Sequence, residues 1–169
     1  MDFKEYLVKR NKSVVERILT VLIYLSALVL SCVCLFKIPS VAGFGALLAV
    51  GCFYGAYRLS SRFKREYEYI ITGDSVDIDV IYNAANRKRL ISFSIKDVRI
   101  LAAINDVNYT QMAKGSFGKT IDATTNRKDA NIYFAILEKN GGTLVKFEPP
   151  YAALEMLKKH APSKVVISE

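Results

Sequence analysis

The feature that most constrains this chain is an unbroken apolar run near its N-terminus. Residues 18–36 read ILTVLIYLSALVLSCVCLF, without a charged residue, glycine or proline. A helix of this length rises about 28 Å at 1.5 Å per residue, which is close to the hydrocarbon thickness of a bilayer. We therefore predict a transmembrane helix over residues 18–36.

A second uncharged run follows after a short break. Residues 41–57 read VAGFGALLAVGCFYGAY, and a second crossing explains why this run is apolar as well. The sequence thus predicts a two-helix transmembrane hairpin over residues 18–57. The alternatives are a cleaved signal peptide, which would have a shorter apolar core and a polar cleavage region, and a buried helical pair, which would not be apolar on all sides.

Basic residues flank the predicted hairpin and indicate its orientation. The candidate membrane-interface residues are Lys9, Arg10, Lys12 and Arg17 before the first helix and Arg58, Arg62, Lys64 and Arg65 after the second. The loop between the helices holds only Lys37. Because Lys and Arg accumulate on the cytoplasmic side of membrane proteins, both termini are predicted to be cytoplasmic. Residues 58–65 are predicted to be a basic linker.

The formal net charge of +8 resembles that of a nucleic-acid-binding protein, but its distribution does not. Residues 1–65 carry +7 and residues 66–169 only +1. A DNA- or RNA-binding domain would carry its basic face on the folded module. The predicted partner of the positive charge is therefore the lipid bilayer, and no nucleic acid is expected.

Two further features of the N-terminal third have structural interpretations. Residues 1–17 mix apolar side chains with lysines, which predicts an amphipathic juxtamembrane segment lying along the headgroups or a frayed tail. Gly51 and Gly55 form a G-x-x-x-G pair, which favours close helix packing, either against the first helix or in a homo-oligomer. All three cysteines, Cys32, Cys34 and Cys52, lie within the apolar runs and are interpreted as packing residues.

From residue 66 onward the apolar pattern changes to period two, which is typical of β-strands. Strands are predicted at 67–71, 75–82, 87–95, 98–104, 131–138 and 143–148, with turns at 73–74, 83–86 and 140–142. The polar segment 105–130 is predicted to form loops with one weak strand.

A final helix is predicted to begin after Pro149 and Pro150, and Tyr151, Leu154 and Leu157 mark its apolar face.

The predicted order of strands followed by one C-terminal helix resembles that of pleckstrin-homology-like (PH-like) domains. Residues 66–69 (EYEY), Thr72, residues 77–79 (DID) and residues 87–89 (RKR), placed after a helical hairpin, also resemble a family of uncharacterised small membrane proteins of low-GC Gram-positive bacteria. The resemblance implies a bacterial plasma membrane protein and supplies no catalytic residue. The expected fold is a transmembrane α-hairpin plus an α+β domain at 66–169, a small antiparallel β-sandwich or barrel closed by the C-terminal helix.

The candidate catalytic motifs have simpler structural interpretations. Asp77 and Asp79 could form a metal or acid–base pair, but Arg87, Lys88 and Arg89 face them across the hairpin and predict cross-strand ion pairs instead. The GSFGKT segment at 115–120 lacks the first glycine and the strand-to-helix context of a phosphate-binding loop. The only histidine, His160, has no nucleophile placed beside it by the sequence. No catalytic, metal or cofactor residue is predicted.

These observations favour a non-enzymatic, membrane-anchored interaction or scaffold protein. Its β domain would bind an unidentified protein partner, or sense the inner leaflet, through a sheet edge or the 105–130 loops. The alternative is an accessory subunit of a membrane transport or envelope complex that docks through the glycine-rich second helix. A membrane-embedded enzyme would need ionisable residues within the spans, and the sequence has none there.

Overall fold

The chain folds into two compact units in a computed structural model that describes residues 3–37, 44–138 and 142–167. One unit, here called the β unit, comprises Met1–Asn11, Glu66–Ile81 and Asn86–Glu169. The other, the helical unit, comprises Lys12–Arg65 and Tyr82–Ala85. The chain therefore leaves the β unit after its first strand and returns to it through the second.

The helical unit contains two helices, α1 (Val14–Lys37) and α2 (Phe44–Ser61). A reciprocal capping box begins α1: the Ser13 amide donates to the Glu16 carboxylate at 2.9 Å, and the Glu16 amide donates to the Ser13 hydroxyl at 3.2 Å. This cap explains why α1 begins four residues before the apolar run.

The two helices contact each other through small residues. Ala27 on α1 and Ala49 and Ala56 on α2 are buried. The Ser31 hydroxyl donates to the carbonyl of Ala27 at 2.7 Å and contacts that of Ala49 at 3.3 Å, so its polar atom is satisfied inside the helix pair. Small side chains let the helix backbones approach closely, as they do between membrane helices.

The N-terminal segment forms a β-strand of the first sheet rather than a separate juxtamembrane segment or a frayed tail, and its contact with the headgroups stays a prediction. Strand β1 (Phe3–Lys9) pairs antiparallel with β2 (Arg65–Thr72) from Phe3 opposite Thr72 to Lys9 opposite Glu66. The mixture of apolar and charged side chains in this segment is the alternation of an edge strand, whose partner is far away in sequence.

The predicted basic linker at 58–65 is also largely absent. Helix α2 continues to Ser61 and β2 begins at Arg65, so only residues 62–64 connect them. The apolar run ends at Arg58, but Arg58 lies in the last turn of α2, where a basic side chain interacts favourably with the helix dipole.

In the described part of the β unit, eight strands form two four-stranded sheets. The remaining strands are β3 (Ser75–Tyr82), β4 (Asn86–Ser94), β5 (Val98–Ala103), β6 (Lys119–Asp122), β7 (Tyr133–Leu137) and β8 (Thr143–Phe147). The first sheet has the order β1-β2-β3-β4 and the second β5-β7-β8-β6. The predicted strands are thus present, including the weak one in the polar segment, which also holds the short helix α3 (Thr110–Ala113).

One strand pair departs from the expected antiparallel arrangement. Strands β6 and β8 are parallel, with Ile121 opposite Val145. The long segment between β6 and β7 makes this pairing feasible, because parallel neighbours need a crossover rather than a tight turn.

The β3–β4 hairpin turns at the predicted residues. Asn83 and Ala84 both have positive φ, at 51° and 54°, as the two central residues of a type I′ turn require. The other predicted hairpin turn includes Asn140 and Gly141, which lie outside the described residues. The strands on either side of it, β7 and β8, pair antiparallel.

The core lies between the sheets and the last helix, α4 (Tyr151–His160). The inward face of the first sheet is the one that the period-two pattern predicts: Tyr67, Tyr69, Ile71, Val76, Ile78 and Val80 are all buried. Helix α4 follows Pro150 at its N-cap and buries Leu154 and Leu157, whereas Tyr151, also predicted on its apolar face, is 64% exposed.

Tyr69 joins the two sheets through its hydroxyl group. The hydroxyl donates to the carbonyl of Ala123 at 2.6 Å and accepts from the amide of Glu148 at 3.3 Å. Its ring meets Phe147 edge-to-face, with 5.8 Å between centroids. Burial raises the pKa of Tyr69, so the hydroxyl stays protonated and available as a donor.

We expect Tyr69→Phe to lower the free energy of unfolding of the β unit by about 2 kcal/mol, because it leaves a buried carbonyl and a buried amide without this partner. Urea unfolding of the purified chain measures the change. Tyr151→Phe, at an exposed site, is the matched control and should be neutral. An equal effect of the two substitutions would contradict the bridging role.

Candidate functional site

The outer edge of β4 is the candidate functional site because it adjoins a cavity and, among the described residues, no strand pairs along it. The cavity has a volume of about 470 Å³. Strand β4, the start of β6 and the facing ends of β7 and β8 line it with Ile91, Ser92, Phe93, Lys119, Leu137 and Thr143. It therefore combines the two surfaces that the sequence suggested for a partner, a sheet edge and the 105–130 segment.

The edge of the second sheet at β5 differs from that at β4 because the chain itself covers it. Beside β5, the amide of Leu101 donates to the carbonyl of Lys164 at 2.8 Å, and the amide of Val166 donates to the carbonyl of Leu101 at 2.8 Å. The segment after α4 thus forms a β-bridge along β5. Among the described residues, β4 pairs only with β3.

The Asp77 and Asp79 pair is engaged with Arg89 on the outer face of the first sheet. Arg89 lies 2.9 Å from the Asp77 carboxylate and 2.5 Å from that of Asp79. These contacts confirm the predicted cross-strand ion pairs. Within the part of the chain that the structure describes, no group of three or more His, Cys, Asp or Glu side chains is placed to hold a metal ion.

Glu68 is the charged residue that the sequence did not single out. Its side chain is only 2% exposed, and its carboxylate accepts a hydrogen bond from Arg87 at 2.7 Å. Burial raises the pKa of Glu68, as do a hydrogen bond with Glu5 and the nearby charge of Asp79, while Arg87 opposes the rise. Glu5 was missed for the same reason as β1: its partner strand is distant in sequence.

The predicted membrane-interface residues divide into two groups by exposure. Lys9, Arg17, Arg58, Arg62 and Lys64 are exposed, whereas Arg10, Lys12 and Arg65 are half-buried.

The half-buried Arg65 stacks over the Tyr82 ring at 5.7 Å, and the exposed Lys9 lies 3.9 Å from the Glu66 carboxylate. Contact with lipid headgroups stays a prediction for all eight residues.

Gly51 and Gly55 do not belong to the buried face of α2. A β-carbon added at either glycine would meet no heavy atom within 4 Å among the described residues. The buried residues of α2 are Gly45, Ala49, Ala56, Ser60 and Ser61. A packing role for Gly51 and Gly55 therefore requires a helix of another molecule, and it stays a prediction.

The GSFGKT segment has the expected loop character. Gly115 follows helix α3, and Lys119 and Thr120 begin β6, so a strand rather than a helix follows the second glycine. A phosphate-binding loop needs the N-terminus of a helix at this position. What the segment contributes is one side of the cavity, through Gly118 and Lys119.

We expect Glu68→Gln to become more stabilising, relative to the wild type, as the pH rises from about 4 to about 8. A raised pKa means that the folded state holds the proton more tightly than the unfolded state. The stability that this proton provides is full below the ordinary glutamate pKa and is lost as the pH rises through the raised value. Glutamine has no proton to lose.

Urea unfolding of both proteins across this pH range measures the difference. Glu155→Gln, at an exposed position of α4, is the matched control and should follow the wild-type curve. Parallel curves for wild type and Glu68→Gln would show that burial of Glu68 has no pH-dependent effect.

Comparison with known proteins agrees with this arrangement of two sheets and a C-terminal helix. The sequence model of the family described as bacterial PH-like domain (DUF6106) matches residues 2–167 and so runs through the helical unit as well as the β unit. No curated protein matches the chain. With nearly the whole chain covered, this protein belongs to the bacterial PH-like domain family (DUF6106).

Proposed function

We propose that this protein is a non-enzymatic, membrane-anchored interaction or scaffold module, whose helical pair spans the bacterial plasma membrane and whose β unit faces the cytoplasm. The observation that carries this proposal is the pairing of β1, which precedes the helices in the chain, with β2, which follows them. PH-like domains generally act as interaction modules, which agrees with a scaffold role.

The β1–β2 pairing constrains how many times the chain crosses a membrane. Lys9 and Glu66 are direct neighbours in the antiparallel ladder, although both helices lie between them in sequence. Two paired strands of one sheet lie on the same side of a membrane, since an open sheet does not span the hydrocarbon core. The intervening chain must therefore cross an even number of times. If α1 crosses outward, α2 is the element available to return.

The length and composition of α1 support a crossing. Among the described residues, Val14–Phe36 is the one segment with the length and apolarity of a membrane span, and few of its residues are buried in the helical unit. At 1.5 Å per residue it is about 35 Å long, enough to span with some tilt. Helix α2 has 18 residues, about 27 Å, and ends in polar residues, so the topological argument supports it more than its composition does.

The outward surfaces of both helices support the same conclusion. Large apolar side chains on them are exposed, including Val21, Leu25, Leu28, Val29, Leu47, Val50 and Phe53. A patch of this kind is unfavourable in water and favourable against lipid. The buried small residues between the helices are consistent with packing inside a membrane.

The cytoplasmic side is supported by the distribution of basic residues. The eight candidate interface residues precede the first apolar run or follow the second in sequence, and the stretch between the two runs carries Lys37 alone. Each Lys or Arg close to an anionic leaflet contributes about 1 kcal/mol of attraction. The resemblance to small two-helix membrane proteins of low-GC Gram-positive bacteria supports this arrangement.

A cysteine-labelling experiment tests the topology. In a variant with Cys32, Cys34 and Cys52 replaced by alanine, we expect Ser40→Cys to react with a membrane-impermeant maleimide in intact cells. Val107→Cys, on an exposed loop of the β unit, should react only after permeabilisation. Both should react once the cells are opened, which controls for accessibility. Labelling of Val107→Cys in intact cells would contradict the cytoplasmic placement.

The second candidate function is an accessory subunit that docks through α2. The open space at Gly51 and Gly55 favours it, because a helix of another molecule could approach there. We expect Gly51→Leu with Gly55→Leu to leave the oligomeric state and the co-purifying membrane proteins unchanged if the β unit provides the interaction.

Quantitative mass spectrometry of detergent extracts measures this. Val50→Leu with Phe53→Leu, on the exposed surface of the same helix, is the control for a general change of packing. Specific loss of one co-purifying membrane protein in the glycine variant would instead establish α2 as the docking surface.

A further inference from the structure

We propose that the outer edge of β4 docks an extended peptide segment of a protein partner, which adds as a fifth strand to the first sheet, inserts an apolar side chain into the adjoining cavity and carries acidic residues. This inference rests on the proposed function as an interaction module and identifies its partner class.

Edge strands offer unpaired backbone donors and acceptors, and proteins usually cover or shorten them. Here the segment Lys164–Val166 covers β5, and β6 has only four residues. The other edge of the first sheet, β1, carries Lys4, Glu5 and Lys9 among its seven residues. By contrast, β4 has nine residues and extends about 30 Å. An incoming strand that hydrogen-bonds to such an edge obtains its affinity from the main chain.

The two halves of β4 differ in composition, and only one is protected against such pairing. Arg87, Lys88 and Arg89 give the first half the charges that natural edge strands use to prevent aggregation. Residues 90–94 (LISFS) carry no charge, and Ile91, Ser92 and Phe93 from this half line the cavity. An edge that is charged at one end and open beside a cavity at the other is suited to one specific strand rather than to any strand.

The cavity gives the incoming strand a place for one side chain. Its volume of about 470 Å³ lies within the range of ligand pockets. Ile91, Phe93 and Leu137 supply its apolar surface, while Ser92 and Thr143 contribute hydroxyl groups to its lining. Because side chains of a strand alternate between faces, every second residue of the peptide would point the same way and one would enter the cavity.

The charges around this edge favour an acidic segment. Arg87 forms an ion pair with Glu68, and Arg89 forms ion pairs with Asp77 and Asp79. Lys88 is exposed and forms no ion pair within the described ranges, and Lys119 is exposed at the cavity.

Asp97 also lines the cavity and has an interaction partner of its own. Lys88 and Lys119 together outweigh this one carboxylate, so the charge offered along this edge is positive overall, and electrostatic complementarity favours acidic residues in the partner.

Binding of synthetic nine-residue peptides to the full chain in detergent micelles tests the proposal. The probes share alternating valines and differ at the intervening positions, which are glutamate in one peptide and lysine in the other. A third peptide is the glutamate peptide with a central proline, which prevents strand pairing. Fluorescence anisotropy gives the affinities, and hydrogen exchange gives the site.

We expect the glutamate peptide to bind at least tenfold more tightly than the other two and to slow exchange of the amides at 90–94. Lys88→Glu with Lys119→Glu should reverse the preference, so that the lysine peptide binds more tightly. Lys158→Glu with Lys159→Glu, on exposed positions of α4, makes the same change in net charge and should leave the preference unchanged.

Equal binding of the glutamate and lysine peptides, or protection outside β4 and the cavity, would overturn the proposal. Protection of the same amides by anionic lipid vesicles, without any by peptide, would overturn it in favour of a lipid-binding edge. If no peptide binds but the cysteine labelling gives the expected result, the proposed docking site is overturned and the proposed membrane anchor is not. If the labelling fails, the proposed membrane anchor is overturned, whatever the peptides do.

Discussion

The antiparallel pairing of β1 with β2 is the interaction on which the rest of this structure depends. Its seven rungs connect the first strand of the chain to one that follows 55 residues of intervening sequence, counted from Lys9 to Arg65. The pairing completes the first sheet, brings Glu5 to Glu68 and makes the helical unit an insertion within a hairpin. It also supports a second membrane crossing by α2 once α1 crosses, because two paired strands lie on the same side of a membrane.

The charges of the β unit have two separate roles. On the outer face of the first sheet, Arg87 and Arg89 form ion pairs with carboxylates that are almost fully buried, and removing an arginine would leave a buried carboxylate without its partner. These arginines are therefore committed to the fold. Lys88 and Lys119 form no ion pair among the described residues, so their charges are available for contact with another molecule. Within the RKR motif at 87–89, Arg87 and Arg89 therefore stabilise the fold, and Lys88 is available to contact a partner.

Local sequence patterns correctly predicted the structural elements that are determined by residues close together in the chain. The period-two alternation at Val76, Ile78 and Val80, the turn at Asn83 and the proline start of α4 each depend on neighbouring residues, and the structure has them as predicted. The strand at the N-terminus, the parallel β6–β8 pair and the burial of Glu68 depend on partners distant in sequence. The open edge of β4 could not be predicted, because an edge is defined by the strand that is missing.

The insertion of both helices at one end of the β1–β2 ladder has a mechanical consequence. A force that separated α1 from α2 would enter the sheet at Lys9 and Glu66 and load one rung at a time, instead of shearing all seven together. Peeling of this kind needs much less force than shearing. Lateral tension between the two helices would therefore open the first sheet from its Lys9 end, with the Glu5–Glu68 contact among the later rungs to separate.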